Sequence, residues 1–98
     1  MIRTRSTLAV AEVMLSNLGG RFYGYELYRA TGVRPGTLYP MLSRMMRDGL
    51  LWSYWEDIDD LPASRPLPRK YYLLTDEGRA AFAELIQRAS TEARMGGK

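Results

Sequence analysis

With 98 residues, no cysteine and no histidine, the chain has room for one modest core, and it lacks the groups for a disulfide framework, the usual zinc cages, or a Ser–His or Cys–His nucleophile pair. No apolar run approaches the roughly 20 residues that span a bilayer, and the opening "MIRTRSTLAV" has no signal-peptide core, so no membrane association and a cytoplasmic location are expected. The net charge of +3 is uneven: residues 1–55 carry seven Arg against three acids, residues 56–63 four acids, and residues 64–98 seven bases against four acids, a basic body that suits an anionic partner, nucleic acid first.

A first helix is predicted over residues 6–18, capped by Ser6 or Thr7. Leu8, Ala11, Val13, Met14 and Leu18 form its apolar stripe, and Gly19 and Gly20 stop it. A second short helix over 24–30 turns Leu27 and one or more of Tyr23, Tyr25 and Tyr28 inward, and ends at Thr31 and Gly32. The third starts between Arg34 and Gly36. Pro35 suits a first turn, where its missing N–H would have had no partner anyway. Leu38, Met41, Leu42, Met45 and Met46 recur at three and four and so share one face, with Gly49 as the stop. The opposite face holds Thr37, Pro40, Ser43, Arg44 and Arg47, with Tyr39 at its edge, and is polar, basic and exposed.

Two strands follow, "LLWSYWE" over 50–56 and "KYYLLT" over 70–75, the second placing Tyr72 and Leu74 on one side and Tyr71 and Leu73 on the other. Between them, "DIDDLPASRPLPR" contains three prolines and cannot join a ladder, so the pair is a hairpin with a long, stiff tip. The acidic "EDIDD" over 56–60 resembles a fragment of a calcium loop but lacks the central Gly and terminal Glu, and reads as a solvated loop. Trp52 and Trp55 stand three apart on a strand, so at most one belongs in the core. The methionines read as flexible core filler. Thr75, with Asp76 and Glu77, caps a last helix that runs to about residue 94, after which "MGGK" frays. Ala81, Phe82, Leu85, Ile86, Ala89 and Ala93 make its apolar face wider than one small core can cover. The surplus is expected to pack on a second copy, making a homodimer through the first and last helices.

The order helix, helix, helix, strand, loop, strand, helix is that of a winged helix-turn-helix: mainly α with a small β-hairpin. Residues 1–74 are the expected DNA-binding domain, and residues 75–98 a dimerisation helix packed on the same core. Such a fold enters the major groove of double-stranded DNA with the leading residues of its third helix, while the hairpin, or wing, reaches phosphates. Arg34, Gly36, Thr37, Tyr39, Pro40, Ser43 and Arg44 are the candidate contacts on the helix, and Arg65, Arg69 and Lys70 those on the wing. Gly36 lets the backbone lie close to DNA, and the open N–H groups of the first turn favour phosphate. No acid, base and nucleophile set can be assembled, so neither an enzyme nor a cofactor is expected. A winged helix that binds protein is the alternative. Its third-helix face would be apolar, whereas this one is polar and basic.

Three segments, "YGYEL" over 23–27, "GTLYPMLSRMMRDGLL" over 36–51 and "PRKYYLLTDEGRAAF" over 68–82, cover most of the chain. In order and spacing they resemble the PadR family of bacterial transcriptional regulators, in its short form with a single C-terminal helix. The resemblance implies a dimeric repressor on a roughly palindromic operator, often loosened by a small-molecule effector. It implies a phosphate contact for Tyr39, whose ring could otherwise simply pack on the hairpin. For Trp52 and Trp55 it suggests an aromatic drug pocket near the dimer centre. One departure concerns the wing, whose insertion "DIDDLPASRPL" is acidic at its start.

Overall fold

The computed structural model describes residues 4–96. Helix α1 is Arg5–Leu15. Its cap is Thr4 rather than Ser6 or Thr7: the Thr7 N–H donates to Thr4 Oγ1 at 3.1 Å. It also ends three residues short of the expected boundary. The Ser16 hydroxyl donates back to the Val13 carbonyl at 2.6 Å, and the Gly20 N–H closes a turn onto the Asn17 carbonyl at 2.9 Å. One short polar side chain and one backbone turn thus divert the chain from the helix before the glycines are reached. Leu18, expected in the apolar stripe, lies in that turn and is 52% exposed.

Strand β1, Phe22–Tyr23, was not legible in the sequence. It is two residues long and exists only because it pairs antiparallel with β3, Phe22 opposite Tyr72. Helix α2, Gly24–Thr31, ends on Gly32 at φ 75°, a left-handed cap that favours glycine. Helix α3 is Pro35–Arg47, β2 is Leu51–Trp55, β3 is Lys70–Leu74 and α4 is Asp76–Gly96. The predicted hairpin is therefore the larger part of a three-stranded antiparallel sheet in the order β1-β3-β2. A short 3-10 turn, Ile58–Asp60, sits in the wing tip.

The core lies between the helices and one face of the sheet. Val10, Met14, Leu27, Leu38, Leu42 and Phe82 are fully buried there, joined by Met41, Met45, Leu51 and Tyr72. Met46, expected beside them, is only partly buried at the core's margin. Strand alternation holds: Tyr72 enters the core, while Tyr71 is buried outside it on the other face. There it meets Tyr23 and Tyr54 ring to ring (centroids 5.8 and 5.7 Å) and lies under the Arg21 guanidinium at 4.0 Å.

One junction fixes α4 on this frame. The Thr75 hydroxyl donates to the Gly49 carbonyl at 2.6 Å and accepts from the Gly78 N–H at 2.9 Å, while the Thr75 N–H donates to the Leu50 carbonyl at 3.1 Å. A side chain at Gly78 would overlap the Leu50 carbonyl, so close docking requires glycine there. From this anchor α4 presents Phe82 and Leu85 to the chain's own core, which changes the expectation for a dimer surface. Of the residues assigned to a partner, Ile86 and Ala89 are half-buried and Ala93 is exposed, whereas Phe82 and Leu85 are already covered. The helix continues through Met95 and Gly96, where fraying was expected. The remainder of that expectation, Gly97 and Lys98, lies outside the described residues.

Candidate nucleic-acid interface

Apart from the buried Leu38, the leading turn of α3 is built from exposed residues. Arg34 caps it with extended backbone, its carbonyl accepting from the Thr37 and Leu38 N–H groups at 2.9 and 2.8 Å, and no side chain closes the turn. Pro40 has no N–H to return to the Gly36 carbonyl, so the first two turns keep open polar backbone on the outer side. Gly36 is exposed, its φ is not in the left-handed region, and a Cβ there would meet nothing within 4 Å. Nothing inside the chain requires glycine at this position.

Arg34, Thr37, Ser43 and Arg44 are all exposed on that side, while Leu38, Met41, Leu42 and Met45 hold the helix from beneath. Arg47 is exposed as well, with a long 3.9 Å approach to Asp48 that leaves both groups in solvent. Such an exposed pair contributes little. Tyr39 is 44% exposed. Its ring lies across Gly24 at the start of α2, so closely that a methyl group on Gly24 would overlap the phenol. The phenol end of the ring thus rests on the start of α2, and a larger residue at Gly24 would have to displace it.

Beside α3 stands the wing, whose tip spans residues 56–69. Glu56, expected in a solvated acidic loop, is instead paired and only 15% exposed at its side chain. Its carboxylate accepts both terminal nitrogens of Arg65, at 2.5 and 3.0 Å, and the backbone N–H of Arg69 at 2.9 Å. The Glu56 N–H returns a bond to the Arg69 carbonyl at 2.9 Å. Hydrogen bonding from Arg65 is the main reason the Glu56 carboxyl is held well below its usual range, at about 2, with the Arg69 N–H and both guanidinium charges adding to it. Asp57, Asp59 and Asp60 do form an exposed acidic turn, with the Asp57 carboxylate accepting from the Asp59 N–H at 3.0 Å.

The wing cations proposed from the sequence therefore stand in different states. Arg65 is committed to Glu56. The Arg69 guanidinium lies over the Tyr23 ring at 3.9 Å, and Lys70 Nζ stands 5.8 and 5.7 Å from the rings of Trp55 and Tyr72. Stacked in this way, Arg69 and Lys70 keep their charge available to an anion. Between wing, α2 and α3 lies a cleft of about 570 Å³, lined mostly by apolar groups and flanked by Tyr25, Tyr39, Trp55, Leu67, Lys70 and Tyr72. Burial pushes the Tyr72 hydroxyl up, with the Tyr39 phenol as the lesser cause. Neither tryptophan is core: Trp55 edges the cleft at 62% exposed, and Trp52 packs on Tyr54 (5.7 Å), two residues along the same strand, at 50% exposed.

Sequence reasoning missed Glu56 as the organising group of the wing, and Gly24 and Gly78 as close-approach positions. The spacing of Glu56 from Arg65 carries no periodic signal, because it depends on how the prolines fold the tip.

Among the described residues no group of His, Cys, Asp or Glu could hold a metal ion, and no helix is long and apolar enough to cross a membrane. The sequence model of the transcriptional regulator PadR-like family matches residues 14–84. A PadR-family transcriptional regulator from Eggerthella lenta is 32% identical, with a TM-score of 0.73 over 95% of this chain and 81% of that one. A PadR-like transcription factor from Bacteroides fragilis is 28% identical, with a TM-score of 0.69 over 95% and 90%. A PadR-like transcriptional regulator from Bacillus cereus is 25% identical, with a TM-score of 0.71 over 93% and 86%. No curated protein matches at a significant level.

Proposed function

The chain belongs to the PadR-like family of transcriptional regulators and is a DNA-binding regulator, and on that premise we propose that it is a repressor gripping a roughly palindromic operator as a homodimer. The observation that carries this reading is the outer face of α3. Arg34, Thr37, Ser43 and Arg44 are exposed together around a glycine that nothing in the chain demands. Helix-turn-helix proteins bring such a leading turn to base edges, and Gly36 lets the duplex approach where a side chain would stand. Arg69 and Lys70 then neutralise backbone phosphates beside the helix, and the Tyr39 hydroxyl, which lies against Gly24 in the lining of the cleft, joins them.

The dimer in this proposal uses the shallow groove between α1 and α4 that Leu8, Ala9, Ile86 and Ala89 line, continued by Ala93. A two-fold axis there would repeat α3 on a second half-site, which is why the operator is taken as palindromic. Ile86→Asp should give a folded monomer that binds operator poorly. Wild-type protein that stays monomeric by light scattering at micromolar concentration would remove the dimer from the proposal. A small-molecule effector belongs to the same reading, and the aromatic cleft beside Tyr39 is the place where its occupancy would interfere with DNA.

The direct experiment is a shift assay on the DNA upstream of the protein's own gene, at several salt concentrations. Operator binding that survives both Arg44→Ala and Thr37→Ala in a well-folded protein would mean that α3 is not the reader. A winged helix that binds protein would then be the better account.

A further inference from the structure

We propose that Glu56 and Arg65 form a latch that sets the wing before DNA arrives, and that Arg65 is a positioning residue rather than a phosphate ligand. This rests on the reading that the wing contacts DNA, and it names what arranges the wing for that contact.

The tip, residues 56–69, is a loop with one short turn of helix, and the closing of such a loop is opposed by its own conformational entropy. Its ends are tied by one backbone bond, from the Glu56 N–H to the Arg69 carbonyl, and by a single carboxylate. Glu56 stands next to the last residue of β2 and receives Arg65 through a two-pronged, charge-assisted pair. The same carboxylate accepts the backbone N–H of Arg69, next to the first residue of β3. The acid therefore acts directly on the residue whose guanidinium lies over Tyr23, and through the backbone on Lys70, which follows. Arg65 and Glu56 are 24% and 15% exposed at their side chains, so the pair is partly shielded from water and salt.

Two consequences follow. An acidic residue in a DNA-facing wing would ordinarily repel the backbone, but Glu56 meets Arg65 at close range and the pair presents no net charge. The wing then offers two cations to phosphate at its base, Arg69 and Lys70, with its exposed carboxylates, Asp57, Asp59 and Asp60, confined to the acidic turn, and it holds both cations in place, so that less ordering remains to be done on binding.

Glu56→Ala, Glu56→Gln, Arg65→Ala and Arg69→Ala, made in the full chain, separate the roles. Affinity for the upstream DNA is measured against salt, hydrogen exchange at the Arg69 amide is followed without DNA, and melting confirms that each variant folds. Glu56→Ala and Arg65→Ala should both weaken DNA binding by about three- to tenfold at fixed salt, although they change the charge of the wing in opposite directions. The Arg69 amide should exchange about tenfold faster in both. Glu56→Gln, which keeps an acceptor for that amide, should fall between wild type and Glu56→Ala. Arg69→Ala should instead lower the salt slope by about one. Stronger DNA binding in Glu56→Ala, where Arg65 is released, would make Arg65 a phosphate ligand and overturn the proposal, as would an Arg69 amide that stays equally protected in Glu56→Ala. If Arg69→Ala alone leaves affinity and slope untouched while the exchange results hold, the latch stands and the wing's contact with DNA is what fails.

Discussion

The outer face of α3 and the tip of the wing are both polar, surface-exposed and proposed for the same partner, yet they are organised in opposite ways. On α3, availability follows from helical period: once Leu38, Met41, Leu42 and Met45 are turned inward, Arg34, Thr37, Ser43 and Arg44 must point out, and among the described residues none of the four is tied to another side chain. On the wing, availability is decided by pairing across nine residues of irregular chain, which commits Arg65 to Glu56 and leaves Arg69 and Lys70 stacked on rings. Count of cations is thus a fair guide to a helix face and a poor one to a loop.

The comparison can be broken first at its foundation. Leu42 is completely buried beneath the α3 face, and Leu42→Ala should cost about 2–5 kcal/mol of folding stability. A lower melting temperature, with DNA binding lost only in proportion to unfolding, is the expected result. A Leu42→Ala protein that melts like wild type would mean that the face is not held from below.

The next effect is on recognition itself. Arg44→Ala should melt like wild type and lose about 1–3 kcal/mol of operator binding if Arg44 reads a guanine, with selectivity relaxed at that base pair. A loss that is uniform across sequences would place Arg44 on phosphate. Competition assays against operators altered one base pair at a time distinguish the two.

The wing should behave differently. Arg69→Ala and Lys70→Ala should each weaken binding on all sequences and lower the salt slope by about one. Titration of binding against salt at fixed protein concentration measures this. Sequence-dependent losses from either change would erase the distinction between a reading helix and a gripping wing.

The smallest effect is a pH dependence confined to the wing. The Glu56 carboxyl is held at about 2 against an ordinary 4.5, so its contribution is fully present above pH 4.5 and fades as the pH falls through about 2. Acidification over that interval should shift the Arg69 amide resonance and change Trp55 fluorescence, while amides of α3 titrate only with global unfolding. Simultaneous change in both regions would show that the wing is no separate unit.

How far the sequence reaches follows the same division. The third helix could be read nearly to its ends because period, Pro35 and Gly49 act within a few residues of one another, and the strand alternation that separates Tyr71 from Tyr72 is equally local. The end of α1 could not be placed, since hydrogen bonding by Ser16 and Asn17 competed with the helix before Gly19 and Gly20 did. Phe22 and Tyr23 give no strand signal alone; β3 makes them a strand. Phe82 and Leu85 are correctly apolar, but which apolar residues of α4 face inward was settled by the Thr75 and Gly78 junction with Leu50, which fixes how the helix docks.

Readable from the amino-acid sequence alone are the order of the four helices and the two longer strands, the inward and outward faces of α3, and the lack of histidine and cysteine. These rest on composition and on repeats of a few residues. Only the tertiary structure decided that Glu56 belongs to Arg65, that Tyr39 lies over Gly24, and that part of the apolar face of α4 is already covered. Each of those depends on residues brought together across nine or more positions, and through-space contact, unlike helical period, leaves no regular trace along the chain.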